Sequence, residues 1–447
     1  MKVRQWFVDD GTFLGATRSA LPTLLILTTL MAGLELAGWL DWLQNYALDR
    51  VLELNQSRQS DRVVLIPITD ADYENPQYFN ATSPLDPRKV LEAVDYLAQA
   101  RPAVIGVDLD TSDNRYAILP LNSHGVSIVW ARGAHVSGPS VSGVGVRPKR
   151  SITQLWRRPP LFVAPSPFLG GKFEQHVHDL ELTTVPTSGV ALMPADSDHV
   201  VRSYLRTFDV KQEDAEPSHV DSLPWAITKA YCQYCREHPD DPRGISAARA
   251  DKILTAEDKS EAEEHGQVFN FSYDPGRFRQ IAFSDFVQQN RDKLWPQDHS
   301  PLQGRVVILG GQFSQSRDVH FTPVGERYGL EMVAEAVDGE IEHRFIGHLA
   351  IWSAMLLELV AGLALVWVHW WLHRPWAVYA MTLLIIVLSI VCSLIAFRTA
   401  AYWFNFTAVF VGVWIHLLWD STQAGRRAHR ELALLRGGEH AGGAKQH

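Results

Sequence analysis

DRVVLIPIT, residues 61–69, is a short apolar run closed on both sides by polar residues, the pattern of a strand buried on both faces. Working outward, Leu85-Asp86-Pro87-Arg88 reads as a helix start. Asp86 can accept from the free amides of the first turn, and Pro87 has no N–H to satisfy at the first helical position. Val90, Leu91, Val94, Leu97 and Ala98 then recur at helical spacing, and Pro102 marks the stop. AVIGVDL, residues 103–109, is a second buried-strand run. Strand, capped helix and strand in close succession make a βαβ unit, hence two parallel strands joined by a right-handed crossover. A third run, RVVIL at 305–309, is followed at once by Gly310 and Gly311. Ser222–Glu237 and Glu331–Arg344 read as helices, and the acidic Ala256–His265 as a solvated linker or helix face. Ala131–Pro160, rich in Gly, Ser, Val, Pro and Arg, reads as an irregular loop or insertion.

Around this segment the apolar residues gather in blocks long enough to span a bilayer as helices: 20–40, 348–371, 376–397 and 402–419. Trp, Tyr or Arg flank the last three, as at a membrane interface. Lys2, Arg4 and Arg18 precede the first block, Arg374 stands in the turn between the second and third, and Arg426, Arg427, Arg430 and Arg436 follow the fourth. Short basic loops stay in the cytoplasm. The expected layout is therefore a cytoplasmic N-terminus (1–19), one span, an extracytoplasmic domain (41–347), three spans and a short cytoplasmic tail (420–447) of a multi-pass inner (plasma) membrane protein. The fold class expected is an α/β extracytoplasmic domain with a partly parallel sheet plus four transmembrane α-helices.

The formal net charge of −9 and the lack of a basic stripe with interleaved aromatics exclude a nucleic-acid partner. Cys232, Cys235 and Cys392 are the cysteines. The first two would lie outside the cytoplasm, where disulfides persist. They could be a disulfide, reduced thiols, or metal ligands with His238. A reactive thiolate favours a helix start, whereas these sit well inside or near the end of one, so a disulfide between Cys232 and Cys235 is expected. His176 and His178 would share one face of a strand, but no further Cys/His cluster completes a zinc site, and no metal or cofactor is expected. Gly-x-Ser-x-Gly, His-Glu-x-x-His and phosphate-loop signatures are absent, so an enzyme is not expected.

Four stretches together carry a family resemblance: VVLIPITDADY from Val63; RPAVIGVDLD from Arg101; PADSDHVVRSYLRTF from Pro194; and the run from NFSYDPGRFRQIAFSDFV through GRVVILGGQFSQSRDVHFTPVG to GLEMVAEAVDG, ending at Gly339. They resemble the type-two member of the CHASE group, the extracellular sensory domains associated with cyclases and histidine kinases. The layout of one span before the domain and three after it resembles that family too. The resemblance implies a sensory role and, as a default, a homodimer. Two departures stand out. His199 occupies the position after the Asp-Ser-Asp turn where the family tends to have Gly, so it must take a positive φ or reshape the turn. The cytoplasmic output domain usual in such proteins has no counterpart in the short tail, which points to a separate output protein.

In a parallel sheet, ligands bind beyond the carboxyl ends of the strands. Asp70 and Asp72 end the first strand run, Asp108 and Asp110 the second, and Ser314 and Asp318 follow the third. Their convergence would make an acidic ligand-binding pocket for a cation, an amine or a hydroxyl-rich molecule. The same carboxylates can equally cap helices and tie loops. Within the second span, Ala354, Glu358, Ala361 and Gly362 share one helical face. Glu358 and Gly362 are the expected transmembrane coupling residues, or the glue of the three-helix bundle. The expected function is a membrane-bound receptor subunit that recognises an unknown extracytoplasmic ligand and signals through the bundle to a separate cytoplasmic partner. The alternative is a membrane scaffold or bilayer-disturbing effector of a multi-protein system.

Overall fold

The structure is a computed structural model that describes residues 41–53, 55, 59–111, 123–132, 134–136, 163–165, 187–196, 198–210, 218–255, 266–271, 274, 276–291, 300–348 and 375–403, with scattered positions of 21–39 and 356–371. The chain divides into two compact units, Asp49–Ile346 and a second made of Met1–Leu48 with Gly347–His447.

In the first unit, DRVVLIPIT forms most of β1 (Ser60–Thr69), which leads directly into a short helix α1 (Asp70–Glu74). The helix expected after Asp86 is α2 (Pro87–Gln99). Asp86 accepts from the Arg88 amide at 3.0 Å, and Pro87 opens the helix. Val90, Leu91, Val94, Leu97 and Ala98 are all buried, each of the larger ones contributing about 1.5–3 kcal/mol. The second run becomes β2 (Val104–Asp108). Beyond it come β3 (Ser127–Arg132), β4 (Thr187–Val190), helix α3 (Leu223–Glu237), β5 (Phe278–Gln280) and α4 (Phe283–Arg291). The third run is β6 (Val306–Gln312), followed by a hairpin of β7 (Val319–Thr322) and β8 (Gly325–Tyr328) and by helix α5 (Gly329–Glu342).

The main sheet has the order β5-β1-β6-β2-β3-β4. Every pairing in it is parallel, with Val63 opposite Val306 and Val306 opposite Val104, so the sheet expected to be partly parallel is wholly so. Alternate side chains divide between its faces. Val64, Ile66, Ile68, Ile105, Val107, Val307 and Leu309 join α2 and α4 in one core. Helices α3 and α5 pack on the other face and against each other. Ile227 of α3 sits over Gly106, where a Cβ would clash with it.

One expectation is corrected here. The irregular loop read from Ala131 overlaps the end of β3, a strand paired on both sides, and Ala134–Val136 pairs antiparallel with Val163–Pro165. Ser127–Arg132, SIVWAR, carries the β-branched and aromatic residues that suit a buried pleat. The remainder of the loop, the stretch with His176 and His178, and residues 256–265 lie outside the described residues.

A set of buried ion pairs fixes α5 on its face. Arg206 makes two 2.7 Å bonds to Glu340 and lies 4.4 Å over the Trp225 ring, while Tyr204 donates to the same carboxylate. Arg277 donates to Glu335 and, at 2.8 Å, to Asp338, which also accepts from Ser60 at 2.6 Å. Buried charges persist only when paired in this way. The Asp-Ser-Asp turn serves the same end, because Asp196 and Asp198, with Asp49, grip the buried Arg202. His199 in that turn adopts φ 66°, the left-handed conformation expected where the family tends to have Gly.

In the second unit, α6 (Pro375–Ala400) contains the expected third span. Among the described residues no helix is long and apolar enough to cross a membrane. Glu358 lies outside the described residues. At Gly362, a Cβ would fall 2.7 Å from Cδ2 of Leu24, so the small residue admits the first apolar segment of the same chain.

Candidate functional site at the carboxyl edge

Strands β1 and β6 are neighbours, yet the chain leaves them toward opposite faces, to α2 from β1 and to α5 from β6. Such a divergence opens a crevice beyond the carboxyl ends of the two strands. Asp70 spans it: its carboxylate accepts from the Ser314 amide at 2.7 Å and the Ser314 hydroxyl at 2.9 Å. Two of the expected site residues are thereby brought together, as a tie between loops.

Asp72 has a structural task. It completes a capping box with Thr69, accepting from the Thr69 amide at 2.9 Å and hydroxyl at 2.8 Å, while its other oxygen accepts from the Ser284 amide at 3.1 Å. With both oxygens engaged and 1% of its surface exposed, it has little left to offer a ligand. Asp110 is exposed at the edge.

Asp108 and Asp318 are differently placed. Asp108 ends β2 opposite Gly310, and Asp318 follows β6 and precedes the hairpin. Burial, with the adjacent Asp318 charge adding to it, pushes the Asp108 carboxyl up to about 8. Two carboxylates so arranged repel each other, and a cationic or hydroxyl group placed beside them relieves that repulsion. Asp318 is oriented by His320 Nε2 at 3.0 Å and by its own carbonyl, which accepts from the Gly329 amide at 2.9 Å. Its carboxylate occupies the space a side chain at position 329 would need. Leu330 packs over Gly310 in the same manner, with 2.9 Å left for a Cβ. Just past Asp108, Thr111 is 1% exposed and its hydroxyl has no hydrogen-bond partner, an uncommon condition for a buried polar atom.

His320, Gly329 and Thr111 are not among the site residues expected from the sequence. Asp318 and His320 stand two apart, a spacing that places both on one face of a strand; the other two carried no pattern. Among the described residues no group of three His, Cys, Asp or Glu side chains is placed to hold a metal ion. Cys232 and Cys235 are free thiols, where a disulfide was expected. They face the core from α3, and burial raises both, Cys232 to about 12.

The family model described as CHASE2 domain matches residues 23–392. No curated protein and no solved structure matches the chain.

Proposed function

Because the chain belongs to the CHASE2 domain family, a family of extracellular sensory domains, we propose that it is a membrane-anchored sensor whose α/β domain lies outside the cytoplasm and whose crevice binds the stimulus. The observation that carries the site is the Asp108–Asp318 pair at the carboxyl edge, with Asp318 held by His320 and seated over Gly329 and its charge set against the buried Asp108. A cationic or hydroxyl-rich ligand would relieve their repulsion. Asp318 rests on the first residue of α5, so a ligand that draws Asp318 toward Asp108 also acts on that helix. A conformational response requires that the ligand bind one arrangement better than the other.

The membrane reading is supported by the apolar blocks and by α6, which exposes Leu383, Leu384, Val387, Leu388, Val391 and Ile395. A contiguous exposed apolar surface of this kind belongs in contact with lipid or protein. The sensor itself is not an enzyme in this reading. Its output is assigned to a separate cytoplasmic protein. The chain is read as a homodimer without nucleic acid.

Protease added to the outside of osmotically opened cells tests the arrangement. Cleavage within 49–346, with tags at both termini protected until the membrane is dissolved, is the expected outcome. Protection of the domain together with cleavage of the tags would reverse the topology. Exchanging Asp108 and Asp318 for Ala should abolish the response and leave the fold intact; a normal response would remove them from the site.

A further inference from the structure

At the opposite, amino edge of the main sheet the sign of the charge is reversed. Val64 of β1 stands opposite Arg279 of β5 on one side and Val307 of β6 on the other. Arg305 lies two residues before Val307, so by strand alternation it leaves the sheet on the same face as Arg279. Arg243, from the loop after α3, joins them. Its guanidinium donates to the carbonyls of Gln303 at 2.6 Å and Ser300 at 3.4 Å, in the turn that delivers Arg305.

Arg62, Arg202, Arg206 and Arg277 each meet a carboxylate. Arg305 differs: among the described residues it has no ion-pair partner, and its Nε is shut off from solvent without a hydrogen bond. An unpaired buried N–H is costly and uncommon, and a bound acceptor would satisfy it. Burial, then the charges of Arg243 and Arg279, lower the basicity of Arg305, and Asp61 opposes them in part. Neither nearby carboxylate closes the gap. Asp61 is exposed and forms no ion pair among the described residues. Asp241, beside Gly304, accepts from the Tyr234 hydroxyl at 2.8 Å and the Arg243 amide at 2.9 Å. Three guanidiniums facing the single free carboxylate of Asp61 favour an anion of more than one charge.

We propose that Arg305, Arg243 and Arg279 form a binding site for a tetrahedral oxyanion of the phosphate class, either free or carried by a lipid headgroup. The fork of a guanidinium matches two phosphate oxygens side by side, and a dianion offsets the mutual repulsion of the three arginines. The site lies at the other end of the strands from the Asp108–Asp318 pair and stands without it.

The test uses the full-length protein in a non-ionic detergent, in Tris chloride at fixed ionic strength, titrated calorimetrically with inorganic phosphate and with acetate as the singly charged control. Phosphate should bind, with acetate weaker by about tenfold or more. Arg279→Gln, at an exposed position, should weaken phosphate binding by about the same factor and keep the unliganded melting temperature. Arg305→Met keeps an apolar stem and removes the unpaired donor. It should weaken binding likewise, while its unliganded melting temperature equals or exceeds the parent's. Repeating the titration in lipid nanodiscs identifies the source: phosphatidate in the disc competes with phosphate if a headgroup reaches the site, and leaves the titration unchanged if the site takes the free anion. No phosphate binding at millimolar concentration, acetate binding as tightly, undiminished binding in both variants, or a lower unliganded melting temperature for Arg305→Met would each overturn the proposal.

Discussion

Asp108 keeps its proton against the charge of Asp318, a carboxylate that arrives from the loop after the neighbouring strand and is locked over Gly329. An unfolded carboxyl ionises near pH 4, whereas Asp108 in the fold holds its proton up to about pH 8. Between those values the folded state binds more protons than the unfolded one, so stability falls as pH rises through that window and levels off above it.

Asp108→Asn removes the ionisation and should flatten that part of the decline. Thermal melts followed by circular dichroism should find the variant more stable than the parent at pH 8, on the order of 1–3 kcal/mol, or a few degrees for a domain of this size. The two should converge toward pH 4. Equal or lower stability of the variant at pH 8 would show that the Asp108 carboxyl is not held in its neutral form.

Gly329→Ala puts a methyl group where the Asp318 carboxylate lies. Either the loop or the start of α5 must move, a cost of about 1–3 kcal/mol for an overpacked site, visible in a denaturant midpoint. Gly325→Ala is the control: it has open space at its Cβ but a φ of 108°, so its cost is backbone strain alone and it should leave the Asp108 titration unchanged. If Gly329→Ala also leaves that titration unchanged, α5 does not hold Asp318 against Asp108.

Asp72→Ala deletes the capping box of α1 and the bond to Ser284. It should cost about 1 kcal/mol or somewhat more and leave ligand response intact once the loss of stability is allowed for. A selective loss of response in a fully folded variant would restore Asp72 to the binding site.

Cys232 and Cys235 should both be reached by iodoacetamide after denaturation without reductant, because both are free thiols. In the native state they should react slowly, since burial disfavours the thiolate. An intact mass two hydrogens short, with neither residue alkylated, would demonstrate the disulfide instead.

The parts of the fold that were legible in the sequence are those specified by local physics. DRVVLIPIT, the Asp86-Pro87 cap and AVIGVDL announce a buried parallel strand, a helix start and a second strand without reference to anything distant. β3 was hidden because SIVWAR runs into a Gly- and Ser-rich stretch whose composition dominates the window. β4 and β5, of four and three residues, are strands only because neighbours pair with them.

At the site, position relative to strand ends brought out Asp108 and Asp318. The capping role of Asp72 was legible as well, since Thr69 stands three residues before it, the spacing of a capping box. The ion pairs of Arg277 with Glu335 and Asp338 could not have been read at all, because only the pairing of β5 with β1 and the seat of α5 bring them together.

The sensor reading is tested most directly by mild purification of the tagged full-length protein from the membranes of its own host, with co-purifying proteins identified by mass spectrometry. A stoichiometric cytoplasmic kinase, cyclase or phosphodiesterase is the expected result and names the output. Recovery of the protein alone, or with a nuclease or ATPase in its place, would contradict a sensor that reports to a separate signalling enzyme and would favour a membrane scaffold or effector.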